Sequence, residues 1–262
     1  MAVVGHVESL WRYPVKSMRG EQVREAFFGF AGVYGDRVYA FRNPAAPKGF
    51  PYHTGREQEQ MLLYRPAFRH AEHMVRPPNL SEAEAMPPGA TPVYPDPDDF
   101  ALDVQTPSGE VLAIDDPRLP GMLGNDGAQG GLTLHRSDQA MTDCRPVSLF
   151  SVQTAQRLSE EVGREVDKRR FRANLYLDLG DVRGFAEDAF VGHTLRIGPK
   201  AVVAVTDRDP RCKMVTLDPD TAERSPEVLR AINTAHANKA GVYGAVLVEG
   251  MVRPDDAVVL AD

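Results

Sequence analysis

The 262-residue sequence predicts a β-rich α+β fold made of two domains. Short β-branched and aromatic runs, divided by turn residues, fill the first 140 residues. After them the apolar residues twice take a helical period of three to four residues, and strand-like runs return each time. This order favours an antiparallel β-barrel or sandwich at the N-terminus and a mixed domain of strands and helices after it. We place the domains at 1–140 and 141–262.

Strands are expected throughout the first domain because its apolar runs are short and rich in β-branched and aromatic residues. The predicted strands are VVGHVESLWRYPV, QVREAFFGF, DRVYAFRN, QMLLYRP, FALDVQT and EVLAID. The pair Ser108-Gly109 predicts a tight turn between the last two of them.

Two helices are expected in the second domain. The first lies in SLFSVQTAQRLSEEVG, where apolar residues recur at Leu149, Val152, Ala155, Leu158 and Val162. Gly163 is its stop signal. The second begins in SPEVLRAINTAH, with Ser225 as the N-cap and Pro226 at the first helical position. The remaining strands of this domain are ANLYLDL, HTLRIG, AVVAVTD, CKMVTLD, GVYGAVLVEG and AVVL.

Charge and composition exclude several classes of function. A net charge of −7 and a pI near 5.5 argue against a general nucleic-acid binder, which needs a phosphate-neutralising surface. No segment approaches the roughly 20 apolar residues that span a bilayer, and the start lacks the pattern of a signal peptide. Two cysteines do not make a disulfide framework. We expect a cytoplasmic protein that binds neither nucleic acid nor a membrane.

Several common functional motifs are absent from the sequence. It has no phosphate-binding G-x-x-x-x-G-K-[ST] loop, no G-x-G-x-x-G fingerprint and no G-x-S-x-G elbow. No Cys-x-x-Cys pair supports a zinc site at either cysteine. His70 and His73 lie close in sequence without an evident partner, so we expect them to have surface or core roles.

The stretch AVTDRDPRCKMVTLDPDT places Cys212 between Arg211 and Lys213. Neighbouring positive charge favours a thiolate, which binds soft metals and attacks electrophiles. Because adjacent side chains of a strand point to opposite faces, this benefit needs a turn, which Asp209-Pro210 predicts. The alternative is a small core residue, since free cysteine is among the most buried residue types. Cys144, in TDCRPVSLF, is interpreted as a buried or incidental thiol.

Three basic stretches could bind an anion through guanidinium forks, ammonium charge and hydroxyl groups. RYPVKSMRG holds Lys16 and Ser17 at a proline-fixed bend, and GDRVYAFRN holds Arg37 in a strand. VDKRRFRANLYLDL is expected to place Arg172 and Asn174 on one side of an extended strand. Each stretch has a plainer alternative: a solvated turn, an arginine that reaches solvent, or a solvated face.

Taken together, these stretches resemble the MOSC family, named for the C-terminal domain of molybdenum cofactor sulfurases. LWRYPVKSMRGEQV and GDRVYAFRN are similar to segments of its N-terminal β-barrel domain, and TGREQEQMLLYRP is a looser match. RPVSLFSVQTAQRL, DKRRFRANLYLDL, RCKMVTLDPDT and VYGAVLVEGMVRPDDAVVL resemble its MOSC domain. The likeness spans both halves and fails across about 66–130. It implies a MOSC-type β-barrel with a few helices after an N-terminal β-barrel or sandwich.

The resemblance implies a molybdenum–molybdopterin cofactor with the Cys212 thiolate as the metal ligand. The residues that would bind its phosphate are Lys16, Ser17, Arg37, Arg172 and Arg211. Asn174 and Ser151 would add hydrogen bonds to the pterin or the phosphate. The family pattern usually has glycine where Ala222 stands, so a turn that needs a positive φ would be reshaped there.

By the same resemblance, the expected activity is reduction of N-hydroxylated small molecules, with Asp209 as a candidate proton relay. No four-cysteine iron–sulfur domain or pyridoxal phosphate-binding sulfurase portion is present, so electrons would come from separate proteins: an iron–sulfur or haem protein and a reductase. Two alternatives stay open at this point. One is a cofactor-binding or persulfide sulfur-carrier protein without reductase turnover, and the other is a β-rich protein that acts through protein contacts.

Overall fold

Seventeen strands and four α-helices form in the residues that the computed structural model describes, 2–87, 96–124 and 131–261. The strands before residue 140 are β1 (Ala2–Arg12), β2 (Glu21–Val23), β3 (Ala26–Gly29), β4 (Gly32–Val33), β5 (Tyr39–Arg42), β6 (Tyr52–His53), β7 (Arg65–Phe68), β8 (Leu102–Gln105), β9 (Val111–Ala113) and β10 (Thr133–Arg136). The later strands are β11 (Val147–Ser151), β12 (Leu175–Asp178), β13 (Thr194–Ile197), β14 (Ala201–Pro210), β15 (Lys239–Val248), β16 (Gly250–Val252) and β17 (Ala257–Leu260). The helices are α1 (Leu80–Glu84), α2 (Leu119–Leu123), α3 (Val152–Val162) and α4 (Pro226–Ala235).

The largest sheet has the strand order β12-β11-β15-β14-β13-β17-β1-β2, and β1 also pairs with β12. This extra pairing closes seven strands into a barrel and leaves β2 outside it. β1 runs antiparallel to both of its barrel neighbours, β12 and β17. The first strand of the chain therefore completes a barrel whose other strands all come from the second half.

Three smaller sheets have the strand orders β10-β5-β6, β16-β3-β4 and β7-β8-β9. One of them also joins the two halves of the chain, because β16 pairs with β3. The predicted β-rich α+β class is confirmed. The domain division near residue 140 stays a prediction. Two sheets, the largest one and β16-β3-β4, contain strands from both sides of it.

Buried and partly exposed residues alternate along barrel strands such as β14 with a period of two, and the buried positions hold apolar residues. In β14, Val203 and Val205 are buried, while Val202 and Ala204 are partly exposed. Each fully buried valine stabilises the fold by about 1.5–3 kcal/mol. Gly244 of β15 faces this row, and a Cβ there would lie 2.4 Å from Val203 Cγ1. Only glycine lets the two strands approach this closely.

The structure confirms both predicted helices and corrects some of their surroundings. α4 begins at Pro226 after Ser225, and α3 ends at Val162, followed by Gly163, whose φ of 76° forms a left-handed cap. Leu149, expected in the first helix, lies in β11. QMLLYRP and CKMVTLD were expected as strands. They form instead the 3-10 helices Glu59–Leu63 and Lys213–Thr216, the first followed by β7.

No helix formed by the described residues is long and apolar enough to cross a membrane.

Candidate functional site

A cavity of about 620 Å³ collects nearly all of the site residues predicted from the sequence. Eight of the nine line it: Lys16, Ser17, Arg37, Arg172, Asn174, Asp209, Arg211 and Cys212. The ninth, Ser151, does not. The eight lie just after β1, between β4 and β5, just before β12 and at or just after the end of β14, so both halves of the chain build the cavity.

Backbone conformation sets the direction of three lining residues. Ser17, Arg37 and Arg172 have φ values of 67°, 48° and 52°, in the left-handed region. A residue other than glycine adopts this region at a cost of about 1–3 kcal/mol, and such residues cluster at functional sites. Arg37 is held there by a hydrogen bond from its backbone N to Tyr13 O at 2.7 Å. Three such residues around one cavity indicate a site whose geometry is fixed in advance.

Cys212 lies where β14 has ended at Pro210 and the 3-10 helix Lys213–Thr216 begins. The turn predicted before the thiol at Asp209-Pro210 is wrong: both residues lie in β14, Cys212 itself is extended, and the chain turns only after it, in the 3-10 helix. The Cys212 side chain is partly exposed, and Sγ accepts a hydrogen bond from Arg56 Nε at 3.3 Å. This guanidinium places positive charge directly beside the sulfur.

Arg211 and Lys213, the two cations beside Cys212 in sequence, donate hydrogen bonds to backbone carbonyl groups. Arg211 Nε donates to Ala240 O at 2.7 Å, and Lys213 Nζ donates to Arg56 O at 2.9 Å. Both side chains therefore hold backbone segments in place rather than contacting the thiol. The cation that contacts the sulfur, Arg56, is distant in sequence.

A carboxylate links two cations at the mouth of the cavity. Asp143 pairs with Lys16 Nζ, and its Oδ2 lies 2.6 Å from Arg56 Nη2. Burial lowers the pKa of Lys16, although Asp143 opposes the shift. Burial would raise the pKa of Asp143, but Lys16, Arg56 and Arg37 outweigh it and the pKa is lowered. The pair of cations is thus arranged to hold an anionic oxygen.

Arg172 carries an uncommitted hydrogen-bond donor. Its guanidinium lies 4.3 Å from the centroid of the Tyr13 ring, and Arg37 stacks on the same ring at 4.7 Å. Arg37 is neutralised by the fully buried Asp36. Arg172 Nη2 is buried and has no hydrogen-bond partner among the described residues. Burial is the main cause that lowers the pKa of Arg172 to about 10, and Arg37 adds to the shift.

Asp209 is the buried acid of the cavity, with 2% of its surface exposed. Its Oδ2 lies 2.7 Å from Arg211 Nη2 and accepts a hydrogen bond from Ser148 Oγ at 3.4 Å. Burial raises the pKa of Asp209 to about 6, against the opposing effect of Arg211. A carboxyl group with this pKa can hold or release a proton near neutral pH.

The prediction for Ser151 is corrected by the structure. Its side chain is fully buried at the N-terminus of α3, where Oγ accepts from Thr154 N at 3.1 Å. The same hydroxyl donates to Glu187 Oε2 at 2.7 Å. Burial raises the pKa of Glu187, although these hydrogen bonds act against the shift. Ser151 is a helix cap and does not reach the cavity.

Arg172 and Asn174 both line the cavity, but they do not share the face of a strand. Arg172 is left-handed at the end of the 3-10 helix Lys168–Phe171, and β12 begins only at Leu175. The Asn174 side chain is buried, and its Nδ2 donates to Trp11 O at 3.3 Å. Asn174 therefore ties β1 to the cavity wall.

Sequence reasoning missed several lining residues: Thr54, Arg56, Thr142, Asp143, Ser148, Arg170 and Tyr243. Arg56 lies in TGREQEQ, whose looser likeness to a family segment was the available signal. Nothing in TDCRP marked Asp143, because its partners are far away in sequence. Cys144, interpreted as buried or incidental, is exposed and lines the cavity.

Two family models match the chain. The MOSC N-terminal beta barrel domain matches residues 4–89, and the MOSC domain matches residues 136–259. A comparison with curated proteins found no match.

Several solved structures are similar to the chain. The YUAD protein from Bacillus subtilis is 12% identical with a TM-score of 0.48, over 97% of this chain and 93% of that chain. YiiM from Geobacillus stearothermophilus is 24% identical with a TM-score of 0.36, over 45% of this chain and 55% of that one. YiiM from Escherichia coli is 18% identical with a TM-score of 0.34 over the same shares. The chain thus spans about half the length of the two YiiM structures.

Proposed function

Because the chain belongs to the MOSC family, whose domain is associated with binding of the molybdenum cofactor, we propose that its cavity holds molybdenum–molybdopterin and that the protein reduces N-hydroxylated small molecules. One observation carries the proposal: a thiol, two cations that already hold a carboxylate, and an uncommitted guanidinium donor line the same cavity. A soft thiolate suits a sulfur-rich metal centre, and the cations suit a phosphate.

The cavity fits the cofactor in size and in chemistry. About 620 Å³ lies within the roughly 300–1,000 Å³ of small-molecule and cofactor sites. Arg172 Nη2 needs an acceptor, and a phosphate oxygen supplies one. Lys16 and Arg56 would bind phosphate oxygens, either in place of the Asp143 carboxylate or together with it. Cys212 would be the protein ligand to the metal.

When bound, the cofactor supplies the two-electron redox chemistry and the transfer of oxygen. The polypeptide binds and orients the reactants and supplies protons. Reduction of a hydroxylamine group to an amine consumes two electrons and two protons, and the hydroxyl oxygen leaves as water. The buried Asp209 carboxyl, with a pKa of about 6, is suited to deliver one of these protons at Oδ1 or Oδ2.

The proposed partners follow from this stoichiometry. Each turnover needs a donor of two electrons, which we propose to be a separate iron–sulfur or haem protein and its reductase. The substrate is a small molecule that enters the cavity beside Cys212. Neither nucleic acid nor a membrane is part of the proposed function, and the cytoplasmic location stays a prediction.

A turnover assay tests the proposal. The protein is purified from a host that overproduces the molybdenum cofactor, and reduction of benzamidoxime is followed with reduced methyl viologen as the electron donor. We expect turnover by the parent and by Cys144→Ser, which alters a thiol of the same cavity, but none by Cys212→Ser. A molybdenum-loaded parent without turnover contradicts the reductase, and sulfane sulfur found on Cys212 would then support the sulfur carrier.

A further inference from the structure

Three metal-binding side chains meet on the surface at the 3-10 helix His73–Val75 and the residues just before it. His70 Nδ1 lies 3.7 Å from Glu72 Oε1, and His73 Nε2 lies 3.8 Å from the same oxygen. One ligand atom from each residue lies within 4.8 Å of the others. None of the three lines the proposed cofactor cavity.

A second carboxylate orients one of these ligands. Asp99, in the 3-10 helix Pro97–Phe100, lies with Oδ1 2.6 Å from His73 Nδ1. A carboxylate only accepts hydrogen bonds, so Nδ1 of His73 carries a proton, and Nε2 is the nitrogen left for an ion, which would displace any proton held there. A carboxylate behind a metal-binding histidine is the usual outer partner that fixes the ring and its tautomer.

The segment is also held firmly before any ion binds. The rings of His70 and His73 stack with centroids 5.4 Å apart and planes 21° apart. The next residue, Met74, is buried in the core of the first half, and Arg12 Nη1 donates to Met74 O at 2.5 Å. A fixed backbone lowers the entropy lost when the three side chains converge on an ion.

We propose that His70, Glu72 and His73 bind one Zn²⁺ ion, with Asp99 holding the His73 ring and water at the fourth position. Zinc bonds of about 2.0–2.2 Å in a tetrahedron need donor atoms about 3.4 Å apart. The observed separations of 3.7 and 3.8 Å are close to this value, and the two stacked rings would turn so that both lone pairs point at one ion. Two imidazoles and one carboxylate select zinc over calcium and magnesium, which prefer oxygen ligands.

The bound ion would join two segments of the first half that are distant in sequence. Ligation of His73 also fixes its hydrogen bond to Asp99, so residues 70–73 and the helix Pro97–Phe100 would be clipped together. This site is independent of the molybdenum cofactor, because it shares no residue with the cavity.

Calorimetric titration with ZnCl₂ tests the site in the full chain, without a polyhistidine tag. The background is the double variant Cys144→Ser/Cys212→Ser, since either thiol could bind zinc by itself. We expect one equivalent to bind in this background and to be lost in His73→Ala and in Glu72→Gln. His6→Ala is the matched control, because His6 is a similarly exposed histidine 3.7 Å from Asp178 Oδ2 that has no second histidine beside it. It should bind as the background does.

The variant Asp99→Asn tests whether Asp99 binds the ion itself or only holds the His73 ring. We expect it to weaken binding by about 10- to 100-fold without abolishing it. Titration with Co²⁺ should give the visible absorption of a four-coordinate ion in the background and not in His73→Ala. Binding that is unchanged in His73→Ala and Glu72→Gln, or no binding at 100-fold excess ZnCl₂ over micromolar protein, overturns the proposal. Circular dichroism of each variant shows that loss of binding is not loss of fold.

Discussion

Arg172 is the residue on which anion binding depends most directly. Its Nη2 is buried without a partner among the described residues, and its guanidinium stacks on Tyr13. An unsatisfied buried donor costs about 1–3 kcal/mol of stability, which a phosphate ligand would return as binding free energy. Arg172 is thus a place where the fold accepts a local cost that an anionic ligand in the cavity would offset.

Arg172→Gln should bind the cofactor about 10- to 100-fold more weakly, the loss of a charge-assisted hydrogen bond. Its free energy of unfolding should fall by no more than about 1 kcal/mol, the stacking on Tyr13, because the Nη2 donor has no hydrogen-bond partner among the described residues. Arg172→Lys should recover only part of the affinity, since an ammonium lacks the guanidinium fork. Cofactor content of purified variants and urea unfolding measure the two effects. A large loss of stability in Arg172→Gln would contradict the assigned role.

Asp209 makes the proposed activity dependent on pH. Burial raises its pKa to about 6, so the carboxyl is mostly protonated below pH 6 and mostly ionised above it. Turnover that uses this proton should fall as pH rises through about 6. Asp209→Asn should lower the rate and remove this dependence. The measurement is the pH profile of kcat for both proteins, and an unchanged profile in Asp209→Asn contradicts the proton-relay role.

Ser151, at the start of α3, stabilises the helix end and does not line the cavity. Ser151 caps the helix through Thr154 N and donates to the buried Glu187, so its hydroxyl is fully used within the fold. The resemblance to the MOSC family implied a hydrogen bond from Ser151 to the cofactor, because this position matches the family pattern. Only the contact with Glu187, 36 residues away, shows that the hydroxyl serves the helix.

Ser151→Ala should therefore lower the free energy of unfolding by about 1–3 kcal/mol, from loss of the cap and of one hydrogen bond to Glu187. Cofactor content should stay that of the parent. Thermal or urea unfolding and metal analysis check the two halves of this expectation. A stable Ser151→Ala variant that binds no cofactor would restore the binding role predicted from the sequence.

Local patterns predicted the elements that depend on local chemistry. α4 was predicted from Ser225 and Pro226, and it begins at Pro226, although the Ser225 side chain makes no capping hydrogen bond. CKMVTLD has a strand-like composition, but the ladder between β14 and β15 ends at the pair Pro210 and Lys239. The chain beyond it closes a 3-10 turn instead, in which Thr216 Oγ1 donates to Lys213 O at 2.7 Å.

The turn at Ala222 shows a limit of reasoning from a family pattern. Alanine in place of glycine led us to expect a reshaped turn. The structure keeps a positive φ of 60° at Ala222, and its backbone N donates to Asp218 O at 2.9 Å. This hydrogen bond holds Ala222 in the left-handed conformation, which costs a residue with a Cβ about 1–2 kcal/mol.

Most of the candidate site was predictable because its motifs are compact in sequence, whereas its long-range contacts were not. Arg56 reaches Cys212 across 156 residues, and Lys16 reaches Asp143 across 127. No periodicity or spacing reports such a contact. The same holds for the barrel, which is closed by the pairing of β1 with β12 and β17.

Barrel closure predicts that the second half does not fold alone. A fragment of residues 141–262 lacks β1 and would leave an open gap between β12 and β17, with unpaired backbone groups on both edges. We expect this fragment to be unfolded or aggregated by circular dichroism and proton NMR. The full chain is the control. Cooperative unfolding of the isolated fragment would contradict the expectation and support the division near residue 140.

The most direct test of the cofactor proposal is the molybdenum content of three proteins from one host that overproduces the cofactor: the parent, Cys144→Ser and Cys212→Ser. Both variants replace a thiol that lines the same cavity, so they differ in position and not in chemistry. We expect near-stoichiometric molybdenum in the parent and in Cys144→Ser, and its loss in Cys212→Ser. An unloaded parent beside a loaded control molybdoenzyme, or equal metal in Cys212→Ser, would contradict Cys212 as the metal ligand.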